Sequence, residues 1–272
     1  MQSTLVSALL TSLFALGAAS ATAAEPGSFT LSTGLNYSSG TYGTDTTTTI
    51  TSIPIIARYD RGPWILKLTV PYLRITGASN VIPGVGTVAN ANPRGRGRGP
   101  AGGGTAPSTT TTGTAEGWGD IVAAATYNAY GSADLAVDLT GKVKFGTADA
   151  DEGLGTGEND YAAQVDVYKT YGRITAFAGL GYNVLGSSQF IQLDNVFNAT
   201  VGGAYKFDDQ TTAGLMLDAR EKTSASGHEQ SELTAYVTHK LDRHWKTQAY
   251  ALKGMATGSP DWGVGAFVGY AF

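Results

Sequence analysis

The stretch ADLAVDLTGKVKFGTADADEGLGTGENDYAAQVDVYKTYG, residues Ala133 to Gly172, decides the fold. Apolar side chains recur at nearly every second position from Leu135 to Phe145, with Asp138, Lys142 and Lys144 between them. After a Gly- and Asp-rich interruption the alternation resumes from Tyr161 to Tyr171. A period of two is typical of a β-strand with one apolar and one polar face, so the stretch predicts a long antiparallel hairpin.

The length of the two arms indicates which kind of sheet they belong to. Strands of soluble proteins are usually about 5 or 6 residues long, whereas about 9 to 11 residues cross a hydrocarbon layer at a tilt. Each arm here alternates for about a dozen residues, which is enough for a transmembrane strand. The hairpin therefore predicts a barrel wall, with its apolar face toward lipid and its charged face toward a lumen.

Composition limits the classes of protein that this chain can belong to. The chain has 272 residues, 37 Gly, 14 Tyr, no Cys and a formal net charge of −4. Without Cys it has neither disulfides nor thiolate chemistry. Without a sustained basic run, nucleic acid is excluded as an expected partner.

The amino terminus predicts a secretory signal peptide over residues 1–24. Residues Leu5 to Ala24 are weakly polar and end in an Ala-rich stretch with a small-residue cleavage site at 21–23 or 22–24. No Lys or Arg stands in the first turn, so a membrane-anchoring helix is the alternative. The apolar run is shorter than the roughly 18 to 20 residues that such a helix needs. We therefore expect one outer-membrane barrel domain over residues 25–272.

Similar alternation recurs along the rest of the chain and predicts about twelve strands joined by alternately short and long connections, as in outer-membrane barrels. The predicted fold class is all-β: a transmembrane antiparallel up-and-down β-barrel preceded by a cleaved signal peptide, with both termini periplasmic. Residues 76–117 break the rhythm and predict a long flexible extracellular loop. Its RGRGRG run, Arg94 to Gly99, suits contact with lipopolysaccharide phosphates or an anionic solute, or is simply solvated.

The chain ends on an aromatic pattern, with Tyr270 two residues before the terminal Phe272. The last predicted strand carries both. They resemble the terminal aromatic signal that the barrel-assembly machinery reads, so this machinery and outer-membrane lipid with lipopolysaccharide are expected partners.

Three runs resemble a family of outer-membrane transporters named for the MetA pathway of phenol degradation. They are GWGDIVAAATYNAY from Gly117, LTGKVKFGTADADEGLGTGENDYAAQVDVYKTYG from Leu139, and ITAFAGLGYNVLGS from Ile174. The resemblance is clearest over residues 53–205, without the long loop. It implies a barrel that passes a small solute, and it brings no catalytic residues with it.

The charged residues of the polar register are the candidate site. A Lys or Arg at the bilayer midplane on the lipid side costs about 2 to 4 kcal/mol, so this register must face inward. The predicted lumen-lining residues are Arg58, Lys67, Asp120, Asp134, Asp138, Lys142, Lys144, Glu158, Asp160, Asp166, Arg173, Asp218, Arg220, Glu232, Lys240 and Lys246. Either they line a narrow aqueous path and select by field and size, or opposite charges pair across a plugged lumen and only hold the barrel together.

Other chemistry is expected to be absent. The chain has three His but neither a G-x-S-x-G nor an H-E-x-x-H motif, so we predict no enzyme and no catalytic residues. The acidic residues from Asp149 to Asp160 could hold a divalent cation, but their spacing matches no EF-hand. We predict a solvated acidic loop there, with no metal and no cofactor.

These inferences predict an outer-membrane channel or transporter. It would pass a small solute, such as an aromatic or other hydrophobic carbon source, passively through a charged lumen. The alternative is a structural or adhesive outer-membrane barrel with a plugged lumen and no transport.

Overall fold

The wall is built from the alternating segments that the sequence marks out. A computed structural model describes residues 27–96 and 111–272. The strands are β1 Ser28–Gly40, β2 Thr48–Arg61, β3 Trp64–Ala78, β4 Val81–Ile82, β5 Gly86–Thr87, β6 Thr112–Trp118, β7 Ile121–Gly131, β8 Leu135–Phe145, β9 Asp160–Tyr171, β10 Ile174–Val184, β11 Val196–Lys206, β12 Thr211–Arg220, β13 Gln230–Lys240, β14 Trp245–Gly254 and β15 Trp262–Ala271.

Antiparallel pairing closes these strands into a barrel. Each wall strand pairs with its sequence neighbours, and β1 pairs with both β2 and β15. Strands β6 and β7 follow one another along β3 and count as one wall strand. The result is a closed antiparallel barrel of twelve strands, which confirms the predicted fold class. Among the described residues, closure leaves no edge strand in the barrel wall.

The two ends of the barrel differ. Connections such as Gly62–Pro63 and Gly172–Arg173 lie at the same end as the start of β1 and the end of β15, and we name this the short-turn end. The other end, the loop end, carries longer connections such as residues 146–159 and 185–195. Within the described residues, no helix has the length and hydropathy needed to cross a membrane. The predicted signal peptide lies outside the described residues.

The two faces of the wall are chemically opposite. The outward side chains are large and apolar; for example, Leu35 is 53% exposed and Leu180 is 59% exposed. On β8, Phe145 is 41% exposed, whereas Lys144 is 4% exposed on the opposite face. A continuous exposed apolar surface of this kind is rare on soluble proteins and is typical of a surface covered by lipid.

The structure places parts of the predicted long flexible extracellular loop, residues 76–117, in strands. Its two ends continue the wall, since β3 extends to Ala78 and β6 begins at Thr112, and the two pair in register. Between them, the short hairpin β4–β5 is buried, with Val81 and Ile82 at 0% exposure. The composition of the loop as a whole concealed this small apolar segment. Residues 97–110 of the predicted loop lie outside the described residues.

The hairpin β4–β5 lies across the loop-end mouth. On one side Val81 packs in a cluster with Leu73 of β3 and with Tyr42 of the connection between β1 and β2. On another side Ile82 packs with Ile191 of the connection between β10 and β11. Because it contacts the wall from several directions, the hairpin narrows the mouth of the barrel.

Candidate functional site: the barrel lumen

The structure sorts the predicted lumen residues into three groups. Buried ones are Lys67, Asp120, Asp138, Lys144, Asp160, Asp218, Arg220 and Glu232. Half-buried ones are Arg58, Lys142, Glu158, Asp166 and Lys246, while Asp134, Arg173 and Lys240 are exposed. Most of the predicted set thus lies inside the barrel or at its loop end.

The three exposed residues lie at the rim of the short-turn end, not in the lumen. Asp134 precedes β8 and forms an ion pair with Lys169. Arg173 stands between β9 and β10 and donates to the Phe207 carbonyl over 2.9 Å. Lys240 is the last residue of β13. Alternation fixes the direction of a side chain only inside a strand, and Asp134 and Arg173 stand in turns. Lys240 keeps the strand register opposite Lys246, but it is exposed because the strand ends there.

A buried ionic cluster closes the loop end beside β7, β8 and β9. Lys144 Nζ lies 3.1 Å from Asp120 and 3.0 Å from Asp160, and it donates to Thr156 over 3.2 Å. The amide of Ala148 donates to Asp120 over 2.9 Å. One lysine therefore ties two wall positions to the loop over residues 146–159.

A second charged cluster holds the hairpin β4–β5 in the mouth. Arg220, the last residue of β12, donates to the carbonyls of Gly84 and Val85, each over 2.9 Å. Its neighbours in the lumen are Asp218 and Glu232, which face each other across the β12–β13 pair. The guanidinium thus binds the turn of the hairpin on one side and lies beside buried acidic groups on the other.

The RGRGRG run also has a structural part. Arg96 is buried and donates to the carbonyl of Ala78 over 2.5 Å and to that of Val81 over 3.0 Å. Burial lowers the pKa of Arg96 to about 10. Arg94 remains exposed and pairs with Asp151 over 3.4 Å. Arg98 lies outside the described residues, so contact of this run with an anion stays a prediction.

An aromatic and aliphatic surface forms the lumen face of the remaining wall strands. The side chains in contact are Ile56, Phe177, Ala204, Met216, Tyr236, Tyr250, Leu252 and Phe267, with Tyr168 packed against them. Several rings lie over a glycine of the neighbouring strand: Phe267 covers Gly34, and Phe177 covers Gly202. A side chain at either glycine would occupy the space of the ring, so these glycines let the rings lie against the wall.

Two features of the site escaped the sequence reasoning. The hairpin had a signal, because Val81, Ile82, Val85 and Val88 are apolar residues around a Pro-Gly turn in a polar loop. The aromatic surface had a weaker sequence signal: Tyr236, Tyr250 and Phe267 occupy positions of the polar register, where polar side chains are expected. Within the described residues, no group of three or more His, Asp or Glu is placed to hold a metal ion.

Tyr270 and Phe272 lie together at the short-turn end. Their rings are 5.0 Å apart, and Phe272 also contacts Phe29, with ring centroids 5.6 Å apart. The Phe272 amide donates to the Phe29 carbonyl over 2.9 Å. Their role as an assembly signal stays a prediction.

Comparison with known proteins places this geometry among outer-membrane barrels. No protein-family model and no curated protein sequence matches the chain. An outer membrane channel from Pseudomonas putida F1 is similar over 94% of this chain and 100% of its own, with a TM-score of 0.70 and 12% identity. The KdgM porin aligns over 89% of this chain and 99% of its own, with a TM-score of 0.50 and 11% identity. The β domain of the Bordetella autotransporter BrkA aligns over 91% and 100%, with a TM-score of 0.51 and 12% identity.

The structural alignments show a shared fold, and at 11 to 12% identity they show the fold alone. None of the comparisons names the MetA-pathway family, so that resemblance stays a prediction. The chain is similar in fold to outer membrane channels and porins.

Proposed function

We propose that the protein is an outer-membrane channel that passes a small solute passively through its charged lumen. The observation that carries the proposal is the inverted wall, apolar outside and polar within, on a closed twelve-strand barrel. A barrel of this strand number lies between the filled small barrels and the wide porins. Its lumen suits one small molecule more than a broad aqueous stream.

Passage of a solute through the lumen depends on the hairpin β4–β5. It narrows the loop-end mouth, so flux requires the hairpin to move or a solute to pass beside it. The contacts that hold it are the Arg220 hydrogen bonds and the apolar packing of Val81 and Ile82. We propose that the hairpin limits the rate and the size of what enters.

Planar-bilayer recording tests the channel proposal. One variant replaces residues 81–88 by a Gly-Ser linker of equal length, which removes the hairpin β4–β5 and keeps the chain connected. We expect rare, small current steps from the natural chain and frequent, larger steps from the linker variant. Heat-modifiable gel mobility controls for folding. Absence of current from both folded proteins would favour the alternative, a structural or adhesive barrel without transport.

Liposome swelling tests which class of solute passes through the barrel. Aromatic acids, amino acids and neutral sugars of similar size are compared with the natural chain and with the linker variant. The MetA-family resemblance predicts the fastest swelling for aromatic or other hydrophobic carbon sources. Equal rates for all solutes would indicate a nonselective pore.

We propose a bacterial outer-membrane location with both termini periplasmic, and lipid, lipopolysaccharide and the assembly machinery as partners. Since the chain has no Cys, single cysteines report its orientation. We expect Ser187→Cys at the loop end to react with an impermeant maleimide on intact cells, and Ser132→Cys at the short-turn end to react only after lysis. The reverse pattern would contradict this orientation. The proposed role is that of a channel and not of an enzyme.

A further inference from the structure

Four cations converge in the short-turn half of the lumen from strands that are far apart in sequence. Arg58 of β2 stands directly opposite Lys67 of β3. Ala124 of β7 stands opposite both Lys67 and Lys142 of β8. The register thus places three cations in one row, with a small side chain between the two lysines, and Lys246 of β14 is the fourth. We name these four residues the basic arc.

Small residues also separate Lys246 from the rest of the basic arc. Gly269 stands opposite Lys246, and Ser32 stands opposite both Gly269 and Ile56. Gly269 and Ser32 are the residues that stand between Lys246 and β2 in this row. Lys246 is repelled by Arg58 and by Lys240, which stands directly opposite it. Lys67 is likewise repelled by Lys142 and Arg58. The four cationic groups therefore act on one volume of the lumen.

Placing like charges next to one another in this way costs free energy. Like charges directly opposite one another on paired strands destabilise a sheet. Two hydrogen bonds, of 2.7 and 2.5 Å, join Arg58 to Asp60, and Asp166 attracts Lys142. Asp138 stands opposite Asp166, and each accepts from a neighbouring amide side chain over 2.8 Å. Asp138 and Asp166 therefore lie at the Lys142 side of the basic arc, whereas Arg58, Lys67 and Lys246 stand on β2, β3 and β14.

The basic arc borders the aromatic surface. Ile56, two residues before Arg58 on the same face of β2, belongs to the apolar cluster that includes Phe177 and Tyr236. Tyr168 packs against that cluster and interacts electrostatically with Arg58. Solvent reaches this region, since the Arg58 side chain is 19% exposed. The lumen thus presents cations and aromatic rings to the same half-hydrated space.

We propose that the basic arc and the adjoining aromatic surface form a binding site for a small organic anion with an apolar body. The carboxylate of such a solute lies among the cations and relieves their mutual repulsion. The apolar body replaces water on the rings, where burial of apolar surface is favourable. This proposal deepens the channel proposal, on which it rests for the route by which the solute reaches the site.

Equilibrium binding in detergent micelles tests the site without requiring any current. Benzoate is the probe, benzyl alcohol is its neutral counterpart, and acetate is the anion without an apolar body. Calorimetry measures all three against the natural chain, the double variant Lys67→Gln/Lys142→Gln, and the rim variant Lys206→Gln. Lys206 is exposed at the short-turn end of β11 and pairs with Asp209, so it is the matched control. We expect benzoate to bind the natural chain and Lys206→Gln equally, and the double variant at least about tenfold more weakly.

Several outcomes would overturn the proposal. They are benzyl alcohol or acetate binding as tightly as benzoate, benzoate affinity unchanged in a folded double variant, and no benzoate binding at all. If the double variant fails to fold, Lys142→Gln and Lys246→Gln are measured singly. Unchanged benzoate affinity in both single variants would also overturn the proposal. Selective benzoate binding without current from the linker variant would contradict the channel and leave the site standing. Current without selective binding would contradict the site alone.

Discussion

Removing the charge of Lys144 gives a sharp test of how the loop end is held together. Lys144 joins Asp120 and Asp160 over 3.1 and 3.0 Å, and the three side chains are 4%, 5% and 8% exposed. Lys144→Met keeps most of the side-chain volume and leaves two buried carboxylates without their cation. Breaking a buried ion pair from one side costs about 3 to 5 kcal/mol. We expect the free energy of unfolding to fall by that amount.

Urea unfolding in lipid vesicles, followed by tryptophan fluorescence, measures this loss. Lys169→Met is the matched control, because Lys169 also pairs with an aspartate, Asp134, but the two side chains are 35% and 55% exposed. We expect no measurable change for the control, since exposed ion pairs contribute little. An unchanged slope against urea concentration shows that the same transition is compared.

A double variant separates charge from shape. Asp160→Asn added to Lys144→Met removes one of the stranded carboxylates, so we expect part of the lost stability to return. A loss below about 1 kcal/mol in Lys144→Met, as for a solvated pair, would refute the view that this cluster is dry and anchors the loop over residues 146–159.

Three further predictions test the lumen and the mouth. Gly34→Ala places a methyl group against a lumen ring and should cost about 1 to 3 kcal/mol in the same unfolding assay, whereas Gly141→Ala, which meets open space on the outer wall, should leave stability unchanged; equal effects would contradict the packing. Arg220→Met removes two charged hydrogen bonds from the hairpin, each worth about 1.5 to 3 kcal/mol, so open time in planar bilayers should rise at least about tenfold, and unchanged open time would show that the hairpin is held by other contacts. The Asn92 amide, 2.9 Å away, holds the pKa of Asp151 below its usual value. The contact therefore contributes fully to stability above the ordinary carboxyl pKa, and this contribution is lost as pH falls through the lowered pKa. Asn92→Ala should raise the Asp151 pKa in an NMR titration, and an unchanged pKa would refute the assignment.

The walls of the barrel follow from local sequence. Two-residue alternation from Leu135 to Phe145 fixes which side chains point together, because successive residues of a strand project to opposite faces. The same alternation predicts that Lys144 and Asp160 point inward and that Leu35 points outward, and the structure has them so. Alternation does not predict the direction of side chains in the turns, and Asp134, for example, lies in a turn before β8 begins.

Contacts between distant segments decided the rest. Residues 81–87 lack the length of a wall strand, and their burial depends on Arg220 and Ile191, more than a hundred residues away in the chain. The basic arc likewise exists because closure brings β14 near β2, and because Gly269 and Ala124 leave room for longer side chains. Sequence determined the inside and the outside of each strand, since that choice depends on neighbours along the chain. Tertiary structure alone decided what fills the mouth and which charges share one volume, since those depend on register between strands that the chain joins only by folding.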